Sequence, residues 1–274
     1  MYNNLMKIYQ SKLIQNPTVF NNDKYYYFYG QDGKLFGIEK SITLNEYKLL
    51  KSFYLEKTQE QLDSKSEAIY KYIFENGKYP FVRKNKFVVI NNVLVNEVIS
   101  LLNDIFLNLE VLLLEKITIL FFEEDGIQDL AVVFQTISDD FGKQLCIHEG
   151  LMLNKNTKGS IIAHYIGVLL NSNCLNKDYS NFIELLLSAE SNVTYSLMKE
   201  LKEFYFNPIL TKNNTKNELE VFFKNDLNVS KTAKELYLNR NSLINRLDSF
   251  SKEVGYNVQS FKFATIMLLI MNLK

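Results

Sequence analysis

The chain has 274 residues, 47% of them hydrophobic and 23% charged, and its 31 basic and 31 acidic side chains leave no net charge. That balance is ordinary for a folded soluble chain, and it excludes any case for a nucleic-acid or membrane partner built on overall charge; such an interface has to be local. With 3 prolines and 10 glycines there is little material for long disordered linkers. Cys146 and Cys174 lack Cys-x-x-Cys spacing and are expected as two reduced thiols. The first residues show no secretory pattern. The longest apolar run, 264–271, falls far short of the ~20 residues that span a bilayer. A cytoplasmic protein with no membrane partner is expected.

Residues 1–80 read as a small α/β unit. A weak helix covers 1–13, and aromatic or aliphatic strands cover 24–29 and 35–38. Between them Gln31-Asp32-Gly33-Lys34 carries the Asp-Gly signature of a hairpin. Thr43-Leu44-Asn45-Glu46 is a capping box opening a helix to about 55, and Thr58-Gln59-Glu60-Gln61 is a second, opening one to about 75. The run Tyr25 to Tyr29 is aromatic throughout; strands favour such residues, and alternate rings are expected in a core rather than against a ligand. Asn76-Gly77 and Pro80 mark a boundary.

Residues 81–205 alternate. Strands are expected at 87–90, 110–114, 117–122 and 144–152, with a hairpin about Glu115-Lys116. Helices are expected at 95–107, 126–141 and 160–170. The order β-α-β-β-α-β-α suits one mixed sheet with helices on a face. Helical connecting segments come next, at 179–189 and 193–204, ended by Asn207-Pro208.

Metal and catalytic chemistry is thin. His148 and His164 have no zinc spacing, and Cys146 and His148 sharing a strand face reads as packing rather than a nucleophile pair. Glu123-Glu124-Asp125 reads as a solvated turn rather than a cation site. No phosphate-binding glycine loop or Gly-x-Ser-x-Gly is present. No catalytic residue, cofactor or metal is assigned.

Residues 206–274 carry the most specific signal. Thr215-Lys216-Asn217-Glu218 reads as a third capping box, and Leu219, Phe222 and Phe223 face inward behind a helix pair. Ser230 is a candidate N-cap for the first helix of that pair, with small Ala233 at the crossing. Asn239 caps the second, on which Leu243, Leu247, Phe250 and Val254 form one apolar stripe. Tyr237 stands at the turn, where glycine is common because the backbone has φ > 0. The layout is helix-turn-helix.

Asn228-Val229-Ser230, Thr232-Ala233, Leu236-Tyr237-Leu238, Asn239-Arg240-Asn241-Ser242-Leu243 and Arg246-Leu247 resemble the C-terminal domain of PucR/CdaR-type transcriptional regulators, a group that includes sugar-diacid regulators. Val254-Gly255-Tyr256-Asn257 fits that pattern's exit loosely. The departures, Asn239 for His, Ser242 for Thr and Asn245 for Tyr, bear on which DNA is read rather than on the fold. The resemblance implies that residues 81–205 are a degenerate cyclase-like or GGDEF-like domain. The match there is one of topology only, since Glu115-Lys116 supplies no glycine at the turn where a working cyclase needs it.

The expected fold is therefore α+β and multidomain: a small α/β unit, a degenerate mixed-sheet domain and an all-α helix-turn-helix domain. Candidate DNA contacts are Ser230, Lys231 and Thr232 at the start of the first helix, Lys234, then Asn239, Arg240, Asn241, Ser242, Ile244, Asn245 and Arg246. Lys and Arg contact phosphates, Asn can pair with adenine, and Ile can meet a thymine methyl. Arg246 borders the apolar stripe, so an ion pair with Glu220 or Glu235 is its alternative role. From 216 to 262 eight basic and six acidic residues give only +2, so a homodimer is expected. The leading function is a non-enzymatic, DNA-binding regulator responding to an unidentified small-molecule or protein signal. The alternatives are a nucleotide-binding relic cyclase and a protein-interaction adaptor.

Overall fold

The computed structural model describes residues 2–15, 17, 21, 23–30, 34–57, 64–123, 129–188, 191–212 and 214–273. The expected Asp32-Gly33 hairpin turn, the capping box at 58–61, and Glu124 and Asp125 lie outside them.

The first sheet comes after α1 (Tyr2–Tyr9) and contains β1 (Leu13–Gln15), β2 (Tyr25–Tyr29), β3 (Leu35–Glu39) and β4 (Leu55–Glu56) in the order β1-β3-β2-β4, all antiparallel. Leu13, expected as the last residue of the first helix, instead opens β1, which pairs with β3. Alternation along β2 splits the aromatic run. Phe28 stacks on Phe36 in a small core with Leu50 and Tyr54 of the segment around α2 (Leu44–Phe53), while Tyr29 turns to the main core against Phe74. The Thr43 capping box is formed as expected, with both reciprocal bonds to Glu46.

After α3 (Ser64–Phe74) comes the second sheet. It is built in chain order from β5 (Asn85–Ile90), α4 (Asn96–Ile105), β6 (Leu107–Leu113), β7 (Thr118–Glu123), α5 (Leu130–Phe141), β8 (Ile147–Leu153), α6 (Gly159–Leu170) and β9 (Tyr179–Asn181). Its strand order is β6-β7-β5-β8-β9, antiparallel except for the last pair. The first four strands follow the split β-α-β-β-α-β pattern. Val88, Ile90, Leu120 and Phe122 point into one core with α4 and α5; Phe87, Val89, Ile119 and Phe121 point into another with α3 and α6, which pack on each other.

The segment forming β9 was expected as helix. It instead adds a parallel edge strand to β8, and the Asn181 side chain then accepts from the backbone of Ile183 (3.1 Å) and Glu184 (3.2 Å) to start α7 (Phe182–Ser188). After α8 (Ser191–Glu200) the helix widens into a π turn, Leu201–Phe206, and continues as α9 (Asn207–Leu210). Pro208, in the first turn of α9, therefore does not end it; the helix continues to Leu210.

His148 is fully buried in β8, with Nδ1 2.8 Å from Ser180 Oγ and Nε2 2.7 Å from Tyr165 Oη. These contacts, not Cys146, are its partners. Burial pushes its pKa down to about 3. Folding thus favours the neutral ring. Its contribution is complete above the ordinary value of 6.5 and is lost as pH falls towards 3, because only the unfolded chain takes up the proton. As pH falls from 6.5 to 5, the stability lost through this group, measured by urea unfolding, is expected to rise from about 0.7 to about 1.4 kcal/mol per pH unit. In His148→Gln that part of the slope is expected to vanish.

The C-terminal helices are α10 (Thr215–Lys224), α11 (Val229–Glu235), α12 (Arg240–Val254) and α13 (Phe261–Asn272). They do not hang from a linker. One hydrophobic cluster runs from Tyr29 and Phe87 through Phe182 and Phe206 to Phe222, Leu247, Phe263 and Met271. Among the described residues no helix is long and apolar enough to cross a membrane. No group of three or more His, Cys, Asp or Glu among them could hold a metal ion.

Candidate nucleic-acid interface

The expected stripe on α12 is the buried face: Leu243, Leu247, Phe250 and Val254 are all inside. Asn239 caps the helix, its Oδ1 accepting from Asn241 N at 2.9 Å. Asn239, Arg240, Asn241, Ser242 and Asn245 are exposed, and Ile244 is half-buried. Asn241 and Asn245 sit one turn apart on the outward face.

The cap of α11 lies two residues before the expected one. Asn228, not Ser230, is the N-cap, its Oδ1 accepting from Lys231 N at 3.0 Å. Thr232 N donates to Asn228 O. These N–H groups are thus satisfied within the chain, and an anion is not needed there. Ser230, Lys231 and Lys234 are exposed. Thr232 departs from the expected contact role: its side chain is fully buried, with no hydrogen-bond partner for Oγ1 among the described residues, and it is a core residue beside Ala233.

The expected capping box at Thr215 is not formed. Asn214 is the N-cap, with no side-chain cap bond, and Glu218 turns inward, 4% exposed, to pair with Arg246. The partner expected for Arg246 was Glu220 or Glu235; those pair with Lys216 and Lys224, respectively. Glu235 also accepts from Asn225 Nδ2 at 2.7 Å, and that bond, with Lys224, holds its carboxyl below the usual range. Arg246 and Glu218 line a cleft of about 370 Å³ together with Lys212 and Glu253. The cations around the helix pair therefore divide. Lys216, Lys224 and Arg246 each face a carboxylate, whereas Lys231, Lys234, Arg240, Lys252 and Lys262 are exposed and in no ion pair among the described residues; of these five, Arg240 lies at the leading end of α12 and Lys231 and Lys234 on α11 before it.

Arg246→Ala strands a nearly buried carboxylate. Because the guanidinium itself is half exposed, the expected loss is discounted to about 1–2 kcal/mol in urea unfolding. Adding Glu218→Gln is expected to restore most of it.

A second cluster, without a local sequence signature, fixes this domain to the sheet. Lys86 of β5 is 1% exposed. Its Nζ lies 2.5 Å from Glu149 Oε1 and 2.9 Å from Gly255 O, and 4.5 Å over the Tyr256 ring. The Tyr256 hydroxyl in turn lies 2.9 Å from Glu149 O, and its ring stands between Phe182 and Phe263, each 5.8 Å away. Gly255 ends α12 at φ 76°, and a Cβ there would fall 2.9 Å from Lys86 Nζ. The position thus needs glycine for conformation and for room.

The β6–β7 turn closes by Leu114 N donating to Ile117 O at 2.9 Å, and Glu115 is paired with Lys51 of α2. Of the acidic trio, Glu123 pairs with Arg83 at 3.2 Å and accepts from Asn108.

An α+β chain whose C-terminal part is a helix-turn-helix, with the second helix of the pair exposed at its leading end, is the class these observations define. Residues 217–272 match the PucR C-terminal helix-turn-helix domain, which establishes that segment as a PucR-type domain. The uncharacterized protein YxkF of Bacillus subtilis (strain 168) is 34% identical over 86 residues, which is 31% of this chain and 28% of that relative. The match thus spans little more than a quarter of the relative's length. The crystal structure of a regulator of polyketide synthase expression from Bifidobacterium adolescentis superposes over 82% of this chain and 96% of its own, at 12% identity and a TM-score of 0.37.

Proposed function

We propose that the chain is a sequence-specific transcriptional regulator that binds duplex DNA through the first turns of α12. The observation that carries this is the partition of charge. Among the described residues Lys216, Lys224 and Arg246 face carboxylates, while Lys231, Lys234 and Arg240, in no ion pair, lie at the end of the helix pair that carries the exposed Asn241 and Asn245; Lys252 and Lys262, also in no ion pair, lie farther along the chain. Free cations supply the salt-dependent phosphate term, and Asn offers the donor–acceptor pair that adenine presents in the major groove. Asp248, exposed two turns along α12, disfavours phosphate and confines reading to the leading end. So few free cations at the reading end bind weakly, and the working form in this reading is a cytoplasmic homodimer on two half-sites.

Residues 1–80 and 81–205 are, in this reading, the signal-receiving part, the latter a non-catalytic, GGDEF-like sheet. The common core and the Lys86 cluster make the sheet and the reading head one body. A signal then acts by changing how two such bodies sit together, not by swinging the head. Selection of bound duplexes from a random-sequence library tests the proposal. The expected product is a two-fold motif with half-sites about 34–36 Å apart or a multiple of that. Recovery of no enriched sequence would count against it.

A further inference from the structure

We infer that Tyr237 is a DNA-backbone contact, its phenolic hydroxyl donating to a phosphate oxygen of the duplex beside the α11–α12 turn. This rests on the DNA-binding reading above and adds a residue to it.

The turn is a Schellman motif: Leu238 N donates to Ala233 O at 2.8 Å and Tyr237 N to Lys234 O at 3.3 Å. Tyr237 occupies its left-handed position, φ 55°, where glycine is the residue without steric cost. The side chain gives nothing back to the fold, being 97% exposed. A strained backbone and an unburied aromatic at one position are both unfavourable for folding, and glycine would remove both. The compensation therefore lies in something bound.

The surroundings define what is bound. Lys234 and Arg240, each three residues away and so within about 11 Å along the chain, are exposed and unpaired among the described residues. The nearby carboxylate, Glu235, is already held by Lys224 and Asn225. The site therefore favours an anion. A recognition helix enters the groove from the turn that precedes it, which brings this turn to the groove wall, where the anions are phosphodiesters. A phenol suits that wall, since its hydroxyl meets phosphate and its ring packs on deoxyribose.

The test uses the full chain, a fluorescein-labelled mixed-sequence duplex of about 30 base pairs, and anisotropy near 50 mM salt, where the sequence-independent term is strong. Urea unfolding is run alongside. Tyr237→Gly is expected to bind about tenfold more weakly while unfolding at the same or higher urea. Tyr237→Phe is expected to lose about fivefold with an unchanged melt. Wild-type affinity in both variants would overturn the inference and leave the DNA-binding reading intact; it would point to a protein partner at the turn. Loss in the Gly variant alone would overturn the hydroxyl's role, and loss in step with stability would assign the effect to folding. No binding by the wild-type chain would remove the DNA reading itself.

Discussion

Arg240→Ala combined with Asn241→Ala is expected to weaken binding to a selected duplex about 100-fold and to leave unfolding within about 0.5 kcal/mol of wild type. Both residues are exposed, and neither side chain packs in the core. Alanine is also the better helix former at these positions, so no loss of fold accompanies the change. The two contributions separate. Arg240→Ala alone lowers the salt slope by about one unit at every sequence, whereas Asn241→Ala relaxes preference at one base pair. Anisotropy titrations at several salt concentrations, on the selected duplex and a scrambled one, distinguish them.

Lys86→Ala is expected to have the largest effect on stability, a loss of about 3–5 kcal/mol in urea unfolding. It leaves Glu149, 15% exposed, without its cation and Gly255 O without its donor. The Tyr256 ring also loses the ammonium at its face. The Lys86→Met, Glu149→Gln double variant is expected to recover more than half of the loss, since it removes the stranded charge and keeps the buried stem. A loss of under 1 kcal/mol in Lys86→Ala would mean that the head is held by apolar packing alone.

The features legible in the sequence are those that local pattern encodes. The stripe from Leu243 to Val254 and the Asn239 cap are periodic or adjacent features, and both stand where expected. The strand and helix order of the second sheet is readable from alternating apolar runs and their length. Two departures share one cause, a local signal overridden from far along the chain. Glu218 fits a capping box by spacing, yet Arg246, 28 residues on, draws it inward. Tyr179–Asn181 reads as helix because it adjoins the helical segment at Phe182–Ser188, but β8 offers it an open edge. A third is a choice between neighbours: Ser230 is an acceptable cap, and Asn228 two residues earlier already serves. The Lys86, Glu149 and Tyr256 cluster has no local signature at all. A lysine opening an apolar strand is its trace, and its partners lie 63 and 170 residues away in sequence.

Hydrogen exchange of the full chain, with and without a selected duplex, tests the central claim most directly, because it maps the touched surface without mutation. The account predicts slowed exchange at the backbone of residues 231–245, with the first sheet and the β6–β7 turn unchanged. Slowing confined to another surface, with 239–245 exchanging as in the free protein, would contradict it.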